Sequence, residues 1–385
     1  MNKLSALITE LCPNGVEYVP LWSVTIWDKR FNSVDRIKQP TAITYPYLLA
    51  ADLFAMQQEN GDVFLLSTGE QTGWTTEEIA GKYLCTGEVV TMPWGKTRPV
   101  ADCAKYYRGK FVTADNRIMT SNNTSVLDNK YLYYWFISVG KVVDTFYRGS
   151  GIQHPDMAKV LDLQIPVPPL EVQHEIVRIL DTFTELTAEL TAELTARKQQ
   201  YAYYRDKLLA FGDDVPKDTL ENLCDFQYGK GNSIPTAPGE YPVYGCNGVV
   251  GTTNVFNSID APVIGHIGSA GIVNWGKGKH FVTYNGTICK VRPEKMISRY
   301  AYHLLCSLHL ERFVKGSQPF LSYSDFAKET VAVPPLNIQQ RVVSILDRFD
   351  TLCTDLSSGL PAEIEARQKQ YEYYRDKLLS FTPAD

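Results

Sequence analysis

VPPLEVQHEIVRILDTF (167–183) and VPPLNIQQRVVSILDRF (333–349) agree at ten of seventeen positions. Farther on, RKQQYAYYRDKLLAF (197–211) and RQKQYEYYRDKLLSF (367–381) agree at eleven of fifteen. Fainter echoes lie upstream: GKFVTADNRI (109–118) with KHFVTYNGTI (279–288), KYLYYW (130–135) with RYAYHL (299–304), and YRGS (147–150) with VKGS (314–317). Their order is the same in both halves, so the whole unit is duplicated, and a repeat of this kind decides the architecture before any other signal. Identity is concentrated in the repeated tails. The parts before them have diverged.

The tails read as helices. Pro168–Pro169 and Pro334–Pro335 stop a strand and set up a helix start, where the missing N–H of proline is harmless. Apolar residues then recur at steps of three and four: Val172, Ile176, Ile179, Phe183, Leu186, Leu190, Leu194, Tyr201, Tyr204, Leu208 and Phe211. Val342, Ile345, Phe349, Tyr374 and Leu378 continue the pattern in the second copy. This period predicts a coiled-coil seam. From Glu171 to Phe211 the helix would run about 60 Å. Gly359 and Pro361 predict a break in the second copy. Glu185–Ala196 reads ELTAELTAELTA, three tandem four-residue units. Leucines four apart shift the seam locally, as a stutter does. One unit more or less changes the helix length by about 6 Å and its rotation by about 40°. That rotation is close to the twist of one DNA base pair, at about 10.5 pairs per turn.

The diverged parts read as β-rich with a few helices. In the second copy, YPVYGCNGVVG (241–251), APVIGHIGSAGIVNWGKGK (261–279) and HFVTYNGTICKV (280–291) are strand-like runs between glycine turns. SRYAYHLLCSLHLERFVKG (298–316) then reads as one amphipathic helix. The first copy follows the same plan with GEVVTMPWGKT (87–97), KFVTADNRIMTS (110–121) and a helix near KYLYYWFISVGKVV (130–143).

A chain of 385 residues implies two or three domains. No run of about 18 apolar residues is present, so no membrane span is expected, and no signal peptide is read at the start. The eight cysteines are scattered and form no CxxC pair, which signals neither a zinc site nor a disulfide framework. The expectation is a cytoplasmic protein with reduced thiols. Net charge is −5, yet residues 94–117 hold six basic side chains against two acidic, and 275–299 hold six against one. Two basic stretches at matching places point toward an anionic partner.

Catalytic motifs are not found. GEVVTMPWGKT has Val90 where a P-loop needs glycine, and GIVNWGKG (271–278) ends in Gly278 instead of Ser or Thr. VPPL resembles the Pro-Pro motif of adenine methyltransferases only in its prolines. Leu170 and Leu336 replace the stacking aromatic there. No histidine stands at metal-ligand spacing from a cysteine. The expectation is a chain with no catalytic residue and no metal site.

The two repeated helices, RQKQYEYYRDKLLSF with its partner, and the tandem TAEL units resemble the specificity subunit of Type I restriction–modification enzymes, over essentially the whole chain. The openings NGVEYVPLWSV (14–24) and DTLENLCDFQYGKGN (218–232) also look like starts of its domains. The resemblance implies an α/β fold of the α+β kind. Two β-rich target-recognition domains would be separated by two long helices packed as an antiparallel coiled coil, in a pseudo-twofold duplication. The expected domains are 1–165, a central spacer helix 166–213, 214–332, and a distal spacer helix 333–385. Each domain would read half of a split, asymmetric double-stranded DNA target, and the helices would set the gap. Two methyltransferase subunits would dock on the helices, bringing S-adenosylmethionine and adenine-N6 chemistry. Two motor–nuclease subunits would join for restriction, using ATP with Mg2+. This chain would bind no cofactor itself.

Base reading needs polar side chains on loops that reach a groove, and phosphate contact needs Lys, Arg or backbone N–H groups. In the first domain the candidates are Trp94, Lys96, Thr97, Arg98, Asn116, Arg117, and the turn Arg148-Gly149-Ser150-Gly151-Ile152-Gln153-His154. In the second they are Tyr228, Lys230, Asn247, His266, Ser269, Lys277, Lys279, Tyr284, Asn285, Lys315, Ser317 and Gln318. The glycine-flanked basic turns at 148–151 and 315–317 stand out because they recur at matched places. An alternative is a two-module coiled-coil adaptor for protein or glycan. A third is an enzyme with an unrecognised site. Removing one TAEL unit should change the gap in the genomic methylation motif and leave both half-sites intact. Altered half-sites would mean the helix is not the ruler.

Overall fold

The computed structural model describes residues 3–67, 69, 72–96, 98–114, 116–231, 238–354 and 359–384. Two compact units result: Met1–Ala188 together with Ala366–Asp385, and Glu189–Glu365. They are called units 1 and 2 below.

Unit 1 carries strands β1 (Tyr18–Pro20), β2 (Thr25–Trp27), β3 (Tyr47–Leu48), β4 (Val63–Leu66), β5 (Trp74–Thr75), β6 (Cys85–Met92), β7 (Tyr106–Ala114), β8 (Arg117–Ser121), β9 (Tyr147–Arg148), β10 (His154–Pro155) and β11 (Gln164–Pro166). Its main sheet runs β2-β8-β6-β7-β4-β5, with β3 also pairing with β7. Unit 2 carries β12 (Lys217–Thr219), β13 (Cys224–Tyr228), β14 (Tyr241–Gly245), β15 (Gly248–Thr253), β16 (Ser258–Gly265), β17 (Val273–Val282), β18 (Gly286–Val291) and β19 (Thr330–Ala332). Its main sheet runs β13-β18-β16-β17-β14-β15. The two orders match strand for strand. In both, one neighbour of the long hairpin is parallel (β4 to β7, β14 to β17); β3 is also parallel to β7 in unit 1, and the other contacts of the two sheets are antiparallel. The central strands are buried at Val89–Met92 and Ala261–Gly265, where β-branched and small residues fit between packed faces.

A helix follows each sheet: Asn129–Ser138, capped by the Asp128 carboxylate accepting the Tyr131 N–H, and Ser298–Ser307. The helix expected over 298–316 is shorter. His309 takes a left-handed conformation (φ 49°) that ends it, and only a 3-10 turn, Leu310–Phe313, follows. A short antiparallel pair, β1–β11 in unit 1 and β12–β19 in unit 2, leads into each double proline.

The central helix runs Leu170–Leu209, 40 residues and thus about 60 Å long. Its first half lies in unit 1 and its second half in unit 2. The distal segment is described as two helices, Leu336–Thr354 and Leu360–Leu378. Most of the link between them, 355–358, lies outside the described residues.

The helix starts are anchored by a repeated buried amide. Gln173 Nε2 donates to the carbonyls of Pro168 and Val126 (both 2.7 Å), and its Oε1 accepts the Asp128 N–H (2.9 Å). Gln339 does the same with Pro334, Lys295 and Ile297, each at 2.9 Å. Two turns on, Asp181 accepts from Lys130 (2.8 Å) and Tyr134 (2.6 Å). At the matching place Asp347 accepts from Arg299 (2.7 Å) and His303 (2.8 Å). One anchor thus keeps its carboxylate while both of its partners have changed.

Each unit is completed by helix from the other repeat. In unit 1 Phe183 stacks on Tyr374, with ring centres 5.5 Å apart. In unit 2 Tyr204 stacks on Phe349 at 5.6 Å. Such pairs contribute about 0.5–1.5 kcal/mol beyond area burial. Ile176 and Val342 are buried under the globular cores, as is Leu180, which the expected seam omits. Ile179, Leu208 and Leu378 pack at the edges of those cores. Leu186, Leu190 and Leu194 are half-buried. Ile345 departs from the expected seam. The buried stripe there runs Gln339, Val342, Val343, Leu346, Asp350 and Cys353, which leaves Ile345 on the outer flank, 44% exposed. The end of the chain also belongs to unit 1: Val16 donates to the Thr382 carbonyl and accepts from Ala384 N–H, both at 2.9 Å.

Among the described residues unit 2 holds three buried imidazoles, His266, His280 and His303, of which the last two carry the pH argument. His303 lies between the Tyr201 hydroxyl and Asp347, and His280 Nδ1 contacts the Gly278 carbonyl while its Nε2 has no partner. Burial pushes both below the ordinary histidine value, against the opposing pull of Asp347 on His303 and of the Gly278 carbonyl on His280. Burial pushes Asp347 up, but hydrogen bonds from His303 and Arg299 outweigh it and hold the carboxyl low. Lowered histidines stay neutral in the folded unit while the unfolded chain protonates from pH about 6.5 downward. Unit 2 should therefore hold its full stability above pH about 6.5 and lose it as the pH falls toward 5. Unit 1, with Tyr134 at the matching place, should not. Amide hydrogen exchange, corrected for intrinsic rate, reads the two units separately. Equal slopes in both, or an unchanged slope in His303→Gln, would contradict the assignment.

Candidate nucleic-acid interface

In unit 1 the loop after β6 meets the turn between β9 and β10. Lys96 N–H donates to the Gln153 carbonyl at 3.2 Å. His154 Nδ1 lies 3.0 Å from the Trp94 carbonyl, and the two rings are 5.1 Å apart. Gly95 leaves room for Ile152, since a Cβ there would stand 2.5 Å from Ile152 Cγ2 and turn that exposed side chain away. Gly149 takes a positive φ of 137°, which opens the turn. Arg148, Ser150, Gln153 and His154 are exposed, and Arg148 lies 3.5 Å from the Asp156 carboxylate. Arg98 is half-buried beside them, while Thr97 lies outside the described residues.

Four expected contacts of this domain are structural. Asn116 is buried and donates to the Leu66 carbonyl (3.1 Å). Arg117 is buried, pairs with Asp28 at 2.8 Å, and lies 4.6 Å from the centre of the Trp94 ring. Burial pushes the Asp28 carboxyl above its ordinary value, and Arg117 offsets only part of that rise. Lys96 keeps its backbone in the loop, but its ammonium is turned inward onto Asp144 and the Tyr147 ring. A side chain already desolvated and paired has no reach into a groove. Trp94 is therefore a packed support, held between Arg117 below and Lys29, whose ammonium is 5.8 Å from its ring.

Unit 2 assembles the equivalent place. The turn after the 3-10 helix is closed by Lys315 and Phe320, which exchange backbone bonds of 2.9 and 3.1 Å. Phe320 also bridges to Ile267 in the loop after β16. His266 is buried at the centre, with Nδ1 2.6 Å from the Leu321 carbonyl. It is packed by Tyr228 (4.3 Å between rings), Phe320 (4.7 Å) and Tyr284 (5.6 Å). His266 is thus a core residue of the site and not a reader. The Asn285 carbonyl accepts the His266 N–H at 2.8 Å, and Tyr284 N–H donates to Gly231 at 2.9 Å. Lys230, Ser269, Tyr284 and Asn285 therefore gather around the same point as Lys315, Ser317 and Gln318. Asn247 joins them, since Cys246 beside it crowds Gly265 and Gly268. Lys277 and Lys279 do not. They lie toward the far end of the β16–β17 hairpin, where Lys279 pairs across from Ile259 and lies over the Tyr241 and Phe256 rings.

Sequence patterns did not mark Asp28, Lys29 or Phe320. Lys29 and Arg30 stand within the run WDKRFN (27–32), a local basic signal. The pairing of Asp28 with Arg117 joins residues 89 apart, and no local pattern marks it. Among the described residues no group of three or more His, Cys, Asp and Glu could hold a metal, and no helix is long and apolar enough to cross a membrane.

The chain matches the family described as the Type I restriction modification DNA specificity domain twice, over residues 52–197 and 214–366. It is 36% identical over 299 residues to the specificity subunit of the Type I restriction enzyme EcoR124I/EcoR124II of Escherichia coli, covering 67% of this chain and 73% of that one. A Mycoplasma pneumoniae protein named as a type I specificity subunit is 34% identical over 249 residues, covering 57% of this chain and 97% of its own. The fold is similar to the crystal structure of an S subunit of a Type I restriction–modification system from M. genitalium, with TM-score 0.63 at 16% identity, covering 95% and 96% of the two chains.

Arg117 separates support from reading. Arg117→Ala leaves Asp28 buried and unpaired and should destabilise unit 1 by about 3–5 kcal/mol, the usual cost of breaking a buried pair. Denaturant unfolding followed by hydrogen exchange in unit 1 measures it. Unchanged stability with weakened DNA binding would return Arg117 to the readers.

Proposed function

This chain belongs to the Type I restriction–modification DNA specificity family, and from that premise we propose that it reads a split DNA sequence, one half-site per unit, within a larger complex. The observation that carries this reading is the duplication itself. Two sheets of one topology present loops at the same place, and those loops carry different side chains. The helices that join them have kept their sequence. A protein selected to read two different sequences at a constant separation would diverge in the first and stay the same in the second.

The loop groups, exposed or half-buried, sort by chemistry. Arg148, Lys230 and Lys315 suit phosphate oxygens, and their contacts would set the salt dependence of binding. Gln153, Asn247, Ser269, Asn285, Ser317 and Gln318 suit base edges. The ion pairs of Arg148 with Asp156 and of Lys315 with Asp325 are exposed, worth about 0–1 kcal/mol, and can be exchanged for phosphate. The domains 1–165 and 214–332 would be the readers, and the helices of 166–213 and 333–385 the spacer. Two methyltransferase subunits, carrying S-adenosylmethionine for adenine-N6 transfer, would dock along the helices. Two motor–nuclease subunits would add ATP- and Mg2+-dependent restriction. This chain would contribute recognition and no chemistry, in the cytoplasm.

The deciding experiment co-expresses the chain with its methyltransferase and maps adenine methylation across the genome. The expected result is one bipartite motif with a constant gap. Exchanging residues 1–165 for another recognition domain should change one half-site only. A continuous motif, or a change in both halves, would contradict the two-reader assignment.

A further inference from the structure

A pair of stacked rings stands at the same place in both units. Thr91 pairs with Ile118 in unit 1 and Val263 pairs with Ile288 in unit 2, and the two isoleucines match in the repeat. Three residues beyond Thr91 and Val263 come Trp94 and His266. Each carries a second ring from the turn that follows the globular helices, His154 on Trp94 at 5.1 Å and Phe320 on His266 at 4.7 Å. His154 and Phe320 hold matching positions, because each pairs across the base of its turn with a basic residue, Arg148 or Lys315. The support is shared and its outer member differs. Unit 2 has a phenyl ring there, and unit 1 has an imidazole.

The imidazole has a fixed polarity. Its Nδ1 lies 3.0 Å from the Trp94 carbonyl, which can only accept, so Nδ1 carries the proton. In the neutral ring Nε2 is then an acceptor, and it has no hydrogen-bond partner among the described residues. The side chain is exposed, and its neighbour Gln153 is tied by its carbonyl to the Lys96 N–H, so the ring is held in place and still open to a ligand. A phosphate oxygen offers no proton to an acceptor. Base edges do, through the amino groups at adenine N6 and cytosine N4 in the major groove and guanine N2 in the minor groove. We propose that His154 Nε2 accepts a hydrogen bond from the exocyclic amino group of one base in the unit 1 half-site. This makes His154 a base reader and not a phosphate contact. Phe320 can accept no such bond, so the matching position of unit 2 reads nothing of this kind. The proposal rests on the reading of unit 1 as a DNA reader and adds to it the chemical group detected.

The test uses the full chain in complex with its methyltransferase and duplexes carrying the mapped target. Amino groups of the unit 1 half-site are removed one at a time, with purine for adenine, 2-pyrimidinone for cytosine and hypoxanthine for guanine. Each removal also costs a Watson–Crick bond. Every duplex is therefore measured with the unaltered complex and with His154→Phe, and the ratio cancels the cost to the duplex. His154→Phe keeps a ring on Trp94, as Phe320 keeps one on His266, and removes the acceptor. One removal should weaken binding by the unaltered complex about two- to tenfold more than binding by the variant, the worth of one neutral hydrogen bond. The base on which it falls identifies the amino group. His154→Ala should lose the same dependence. Removals that cost as much in both variants as in the unaltered complex would overturn the proposal. So would dependence that survives in His154→Phe and falls only in His154→Ala, since the ring would then act as a support. An equal loss by either variant on every duplex, mapped or scrambled, would overturn it as well, by making His154 a phosphate contact. If the unaltered complex fails to prefer its mapped duplex over a scrambled one, DNA reading itself fails. That result is distinct from a silent amino group in a specific complex.

Discussion

A buried carboxamide at each helix start controls the geometry. Gln173 and Gln339 each satisfy three backbone groups, one from the double-proline turn and two from the loop before the globular helix. An amide with all three partners placed has a single orientation, so the helix can neither slide nor roll against its globular body. The carboxylates two turns on, Asp181 and Asp347, repeat the constraint. The anchors tie each helix start to the segment that enters its globular helix.

The helices were legible because they announce themselves twice. Double prolines, a three–four apolar step and near-identity between copies leave little freedom, and the central helix ends within two residues of expectation at each end. The strand regions were legible from alternating runs between glycines. The loop face was legible only in part. Composition marks Asn116, Arg117 and His266 as readers because they are polar residues near basic stretches. Their burial is decided by distant partners, Asp28 for Arg117 and the Leu321 carbonyl for His266. Lys277 and Lys279 failed for a simpler reason. A long hairpin has two ends, and nothing in its period says which end carries the site. Ile345 fits a heptad on paper, but the helix rolls its globular stripe one residue to the side.

The anchors also show how divergence is absorbed. Lys130 and Tyr134 in one unit correspond to Arg299 and His303 in the other, and both pairs hold one aspartate. The carboxylate on the helix is the fixed element, and the diverged body supplies any donor of suitable length. A conserved acceptor facing variable donors lets globular bodies be replaced while the attachment point stays the same. The turns carrying Ile152 and Phe320 are held in the same way, mainly by backbone bonds and by one neighbour, so their side chains can change without unmaking the turn.

The composition of unit 1 bears on how the chain is made. Its globular body lies wholly in the first 188 residues, yet it is completed by residues 366–385, including Tyr374 on Phe183 and the strand-like contact of Val16 with residues 382–384. Unit 2 is one continuous stretch. A ribosome working from the N-terminus at about 5–20 residues per second therefore finishes unit 2 first, and the earliest-made part waits for the latest-made part. During that interval the apolar flank of the first helical half, Ile179 and Phe183 among it, stays uncovered. The first half to be translated is the last to close.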